Sequence, residues 1–102
     1  MIVVRNVFRL QFGKAKEATT LWKEGLALSK RLGVGAKNAR VLSDLVGPFY
    51  TIVFELTFES LSDFETNSKK IMSSSEWQAW YQKVSGLIES GHREIFNVVA
   101  EQ

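Results

Sequence analysis

Residues Phe49–Glu59, FYTIVFELTFE, alternate with a period of two, which suits an extended strand and no helix. Tyr50, Ile52, Phe54, Leu56 and Phe58 fall on one side, and Phe49, Thr51, Val53, Glu55, Thr57 and Glu59 on the other. Successive side chains of a strand face opposite ways, so the first row demands an apolar cover while the second is mixed. Such a strand needs sheet neighbours and a second layer packed over its apolar row.

The remaining segments supply both. IVVRNVFRLQF, Ile2–Phe12, repeats the pattern, with Ile2, Val4, Asn6, Phe8, Leu10 and Phe12 in the row to be covered. Val3, Arg5, Val7, Arg9 and Gln11 form its mixed row. After Gly13-Lys14 the period changes: Ala18, Leu21, Trp22, Gly25, Leu28, Ser29 and Leu32 make one helical stripe. Gly25 inside that stripe costs roughly 1 kcal/mol of helix propensity, and close packing against a sheet is the expected reason for it. Gly33 and Gly35 end the helix. NARVLSDLV, Asn38–Val46, is a further strand, joined by a Gly47-Pro48 turn to Phe49–Glu59 as an antiparallel hairpin.

A shorter helix opens near Ser62, whose spacing to Glu65 matches a capping box. Leu61, Phe64 and Ile71 are expected to face the core. Ser73–Ser75 interrupt the helical segment, and Glu76 suits the amide-rich start of the next piece. Trp77, Trp80, Tyr81, Val84, Leu87 and Ile88 recur at three- and four-residue spacing, with Glu89-Ser90-Gly91 as terminator. HREIFNVVA, from His92, is the last strand.

The fold expected is therefore α+β: one ferredoxin-like β-α-β-β-α-β domain over 1–102, with its second helical segment interrupted. Helices cover one sheet face. Val3, Val7, Phe49, Val53 and a row from the last strand leave apolar surface on the other, for which a face-to-face homodimer is the economical solution.

Composition narrows the function classes. The chain has 13 basic and 11 acidic side chains, dispersed, for a net charge of +2, so nucleic acid is not an expected partner. It has no cysteine, which removes disulfides and thiolate chemistry. Arg5 and Arg9 interrupt the apolar N-terminal stretch, which reads as neither a secretory signal nor a membrane span. The cytoplasm is the expected location, without a membrane partner.

His92 is the only histidine, and so the one side chain that ordinarily titrates near neutrality. It is a hydrogen-bonding junction residue or, alternatively, a general base at one end of a sheet pocket. Glu55 shares the mixed face with Arg5 and Arg9 of the first strand, and Asp44 of the hairpin is a further contributor. These charges either pair with one another, at a dimer contact, or orient a small polar ligand and move a proton. Trp77, Trp80 and Tyr81, with Trp22 and Phe54, read as structural core. Stacking on nucleic acid would need a basic surround, and Lys83 is the only basic residue of that helix. No spacing recommends a metal or a phosphate-binding loop, and no cofactor is expected.

LQFGK at Leu10–Lys14, FELTFESLSDFE at Phe54–Glu65 and SEWQAWYQKVSGLIES at Ser75–Ser90, in this order of elements, resemble the NIPSNAP-like family. The most specific parts are Glu59-Ser60-Leu61 and Glu76-Trp77; Phe12 stands where the family usually has proline. The resemblance implies a dimeric α+β barrel of ferredoxin-like domains, related in fold to antibiotic-biosynthesis monooxygenases, and carries no catalytic residue with it. The function expected is a homodimeric protein without an assigned activity. A cofactor-independent monooxygenase or related small-molecule enzyme and a protein-interaction module are the alternatives, with an unidentified small molecule as a further candidate partner beside the second copy.

Overall fold

The computed structural model describes residues 1–102. Its elements are β1 (Ile2–Leu10), α1 (Ala15–Arg31), β2 (Asn38–Ser43), β3 (Thr51–Phe58), α2 (Leu61–Met72), α3 (Ser75–Ser85) and β4 (Ile88–Asn97). The strands form one antiparallel sheet in the order β2-β3-β1-β4. This is the expected ferredoxin-like arrangement, and the second helical segment is indeed broken, at Ser73-Ser74.

The core follows the rows read from the sequence. Ile2, Val4 and Leu10 of β1 and Ile52, Phe54, Leu56 and Phe58 of β3 pack against Ala18 and Trp22 of α1 and Trp77, Trp80 and Val84 of α3. Trp22 lies at its centre, with ring centroids 5.1 Å from Phe8, 5.3 Å from Phe54 and 4.9 Å from Trp80. Gly25 lets α1 approach α3, since a Cβ there would overlap the Trp80 indole. Its neighbour is thus a helix, where the sequence suggested the sheet.

Several boundaries differ from the sequence reading. β1 stops at Leu10, leaving Phe12 82% exposed and beside Tyr50, with ring centroids 4.7 Å apart. The hairpin connection runs from Asp44 to Tyr50, longer than a Gly-Pro turn, so Val46 and Phe49 are exposed loop residues and not strand. Pro48 lacks an N–H, and Gly47 and Tyr50 hold positive φ of 142° and 60°, conformations incompatible with a ladder. Phe49 therefore contributes nothing to the outer sheet face.

α2 is capped by Ser60, whose hydroxyl accepts from the Asp63 N–H at 3.2 Å, and not by the Ser62–Glu65 pair. Leu61, the first helical residue, is exposed; Phe64 and Ile71 do pack against the core. No residue of α2 is fully buried. Polar contacts tie it to the loop after α1 instead: Asn67 Oδ1 accepts from the Gly35 N–H at 2.9 Å, and Lys70 Nζ donates to the Gly33 carbonyl at 3.5 Å.

α3 ends at Ser85 with Gly86 as its cap, one turn before Glu89-Ser90-Gly91, which lie inside β4. The Gln11 N–H donates to the Leu87 carbonyl at 2.8 Å and draws the chain into the sheet at once. Gly91 faces Phe8: a Cβ there would lie 2.7 Å from Phe8 Cδ1. That glycine serves sheet packing and not helix termination.

Candidate functional site

The two sheet faces carry different chemistry. On the outer face, register aligns Arg40 of β2, Glu55 of β3, Arg5 of β1 and Glu94 of β4 in one row of alternating charge. Arg40 Nε donates to Glu55 Oε2 at 2.6 Å, and Arg5 Nε stands 3.6 Å from Glu55 Oε1. Arg5 Nη1 lies 3.8 Å from Glu94 Oε1, and His92 Nε2 3.7 Å from Glu94 Oε2. The Glu55 side chain is only 13% exposed, and two flanking guanidiniums compensate its desolvation. The buried Arg5 Nε stands slightly beyond hydrogen-bond distance of Glu55 and meets it as an ion pair.

Glu55, Arg5 and His92 are thus brought onto one face, joined by Arg40 and Glu94, which the sequence reading did not select. A strict row across four strands becomes visible only once register is known. His92 is not a junction residue: the early end of α3 puts it within β4, opposite Val7. Arg9 sits opposite Thr51 and Ser90, with no carboxylate within 4.0 Å. Asp44 closes the hairpin, its Oδ1 accepting from the Thr51 N–H at 2.8 Å. It stands apart from Glu55, whose partner across β2 is Arg40.

Leu42, Val53 and Val7 in the next row, and the Val3–Phe96 pair, are the apolar part of this face. Val53 is already buried within the single chain at 8% exposure, whereas Phe96 is 51% exposed. The exposed apolar surface expected at Val53 therefore lies toward β4.

On the inner face, a cleft of about 770 Å3 opens between the sheet and α2–α3. Phe8, Phe64, Ile71, Met72, Trp77 and Ile88 give it apolar walls, and Gln78, Tyr81 and Gln82 stand along α3. Tyr81 is 44% exposed, so it is not the core residue its helical spacing suggested. It touches Trp80 edge-on and lies over the cleft, because α2, with no buried residue, leaves that side of α3 uncovered.

Asn6 is the polar exception in the covered row of β1. Its Nδ2 donates to the Phe54 carbonyl at 3.2 Å, and its Oδ1 accepts from Arg93 Nε at 2.7 Å. Arg93 lies over the Phe64 ring, with Cζ 5.2 Å from the centroid, and has no carboxylate within 4.0 Å. No Asp or Glu lines the cleft. The Trp22 indole also lines it, and its buried N–H finds no acceptor in the chain. Neither Asn6 nor Arg93 was selected from the sequence. An asparagine within an apolar row was the available signal, since a buried amide must be hydrogen-bonded.

No three His, Asp or Glu side chains converge to hold a metal ion, and no helix is long and apolar enough to cross a membrane.

The architecture is that of a ferredoxin-like α+β domain, and solved structures of NIPSNAP family proteins are similar to it. A NIPSNAP family protein from Agrobacterium tumefaciens superposes with a TM-score of 0.84 at 28% identity, covering 94% of this chain and 90% of that one. A NIPSNAP-like domain protein from Burkholderia xenovorans gives 0.86 at 18% identity, over 99% and 87%. A candidate antibiotic biosynthesis monooxygenase of Nitrosomonas europaea shares the fold at 0.77 and 14% identity, over 98% and 100%. No protein-family model matches the chain, and no curated protein matches it significantly.

Proposed function

We propose that the chain is a small-molecule-binding domain that works as a homodimer. The outer sheet faces pack together, and the helix–sheet cleft of each copy receives the ligand. The observation that carries the binding role is the Asn6–Arg93 pair: a buried amide that holds a guanidinium over the cleft at 2.7 Å. Packing alone would favour an apolar side chain at position 6, because a buried amide left unpaired costs about 1–3 kcal/mol. The homodimer is supported by the outer face, where Phe96 is exposed beside Val3. Oxygenation of the bound molecule is the alternative reading, favoured by the fold shared with the Nitrosomonas protein. The test is thermal denaturation with a panel of phenols, quinones and fatty acyl compounds, with sedimentation at micromolar protein in parallel. A dimer whose melting temperature rises with at least one member is expected; a monomer indifferent to all of them contradicts the proposal. Oxygen uptake with a binding member would move the reading to the enzyme.

A further inference from the structure

We infer that the cleft selects a planar aromatic molecule carrying one negatively charged oxygen group, held by Arg93. The inference rests on the cleft being the binding site and adds the chemistry of its occupant. Three features of the site point to that class.

The first is charge. Arg93 has no acidic partner, and the cleft contains neither Asp nor Glu. His92, the other basic residue at its edge, has its ring nitrogen 3.7 Å from Glu94. An anion in the cleft thus meets one uncompensated guanidinium and no repelling carboxylate.

The second is orientation. Asn6 takes the Arg93 Nε, and the Phe64 ring supports the guanidinium face. Both contacts leave the two terminal nitrogens, the pair that meets a carboxylate end-on, for another partner. A cation fixed before binding loses less side-chain freedom when the anion arrives.

The third is shape. Phe8, Phe64, Trp77 and Tyr81 present ring surfaces to the cleft, and aromatic faces favour offset stacking with a flat ligand.

The test uses two probes that differ in charge but hardly in shape, indole-3-acetate and indole-3-acetamide, titrated calorimetrically at pH 7 and low salt. The acetate is expected to bind at least fivefold more tightly, with the difference shrinking as salt rises. Arg93→Gln should lower acetate affinity to the acetamide level while leaving acetamide unchanged. Arg93→Lys, which keeps the charge without the nitrogen that Asn6 holds, should fall between. Gln82→Glu adds a carboxylate at an exposed lining position, so it spares the fold; it should weaken the acetate alone. Equal binding of the two probes overturns the charge assignment and leaves the cleft as the site. Binding of neither probe overturns the inference, while the cleft reading stands or falls on the panel of phenols, quinones and fatty acyl compounds. An acetate preference that survives both Arg93→Gln and Gln82→Glu also overturns the inference.

Discussion

The indole of Trp80 occupies the space in which a side chain at Gly25 would begin, and its Nε1 donates to the Leu21 carbonyl at 2.7 Å. One glycine therefore sets how close α1 and α3 can come, and the tryptophan seals the gap. Gly25→Ala should destabilise the domain by about 1–3 kcal/mol despite alanine's better helix propensity, because the new methyl overpacks against a rigid ring. Urea denaturation reads this directly; a stabilised variant would show that the helices can separate without loss.

Trp80→Ala removes the same contact from the other side. It should cost about 3–5 kcal/mol, since it deletes a buried aromatic packed against Trp22 and Trp77. A change below about 0.5 kcal/mol would mean that the aromatic cluster is not core.

Glu55→Gln leaves the half-exposed Arg40 and Arg5 facing each other across a neutral, largely buried amide. Stability of the single chain should fall by about 1–2 kcal/mol, well short of the loss expected at a dry site. Dimer affinity should fall as well, because the repelling guanidiniums lie on the face proposed to pair. Unchanged sedimentation with unchanged stability would show that the row is only a solvated surface network.

Two exposed pairs predict an acid dependence. The Arg31 guanidinium grips Glu76 at 2.6 Å, joining the end of α1 to the start of α3, and holds that carboxyl below its usual range. Lys37 does the same for Glu59 at 2.6 Å. A carboxyl with a depressed folded pKa contributes stability above its unfolded value and loses it as pH falls through the folded one. The difference in urea midpoint between the native chain and Glu76→Gln should therefore be present at pH 7 and vanish toward pH 3. Salt should shrink it at neutral pH. A difference that grows on acidification would contradict this.

The fold was legible because the periods of β1, β3 and α1 are strong and one face of each is buried. The Ile52–Phe58 row and the Trp22 stripe pack as their spacing demands. The boundaries were less legible. Gly91 looks like a helix stop in sequence, but its role is set by Phe8, which is 83 positions away along the chain and directly opposite across the sheet. Tyr81 shares the spacing of Trp77 and Trp80, yet its exposure depends on how loosely α2 covers α3. Glu55 and Arg5 were visible as same-face charges, while Arg40 and Glu94 needed the register. The Asn6–Arg93 pair was hidden because local pattern cannot say that these residues meet across two strands.

The central claim is that the sheet divides its work, with the outer face for self-association and the inner cleft for a ligand. Phe96→Asp and Arg93→Gln, measured side by side by sedimentation velocity and by indole-3-acetate titration, test that division most directly. Phe96→Asp places a charge on the exposed apolar edge of the outer face and should dissociate the dimer while the chain still binds the acetate. Arg93→Gln should remain dimeric and lose at least fivefold in acetate affinity. The claim is contradicted if Phe96→Asp leaves the sedimentation coefficient unchanged, or if Arg93→Gln dissociates the dimer and keeps full affinity.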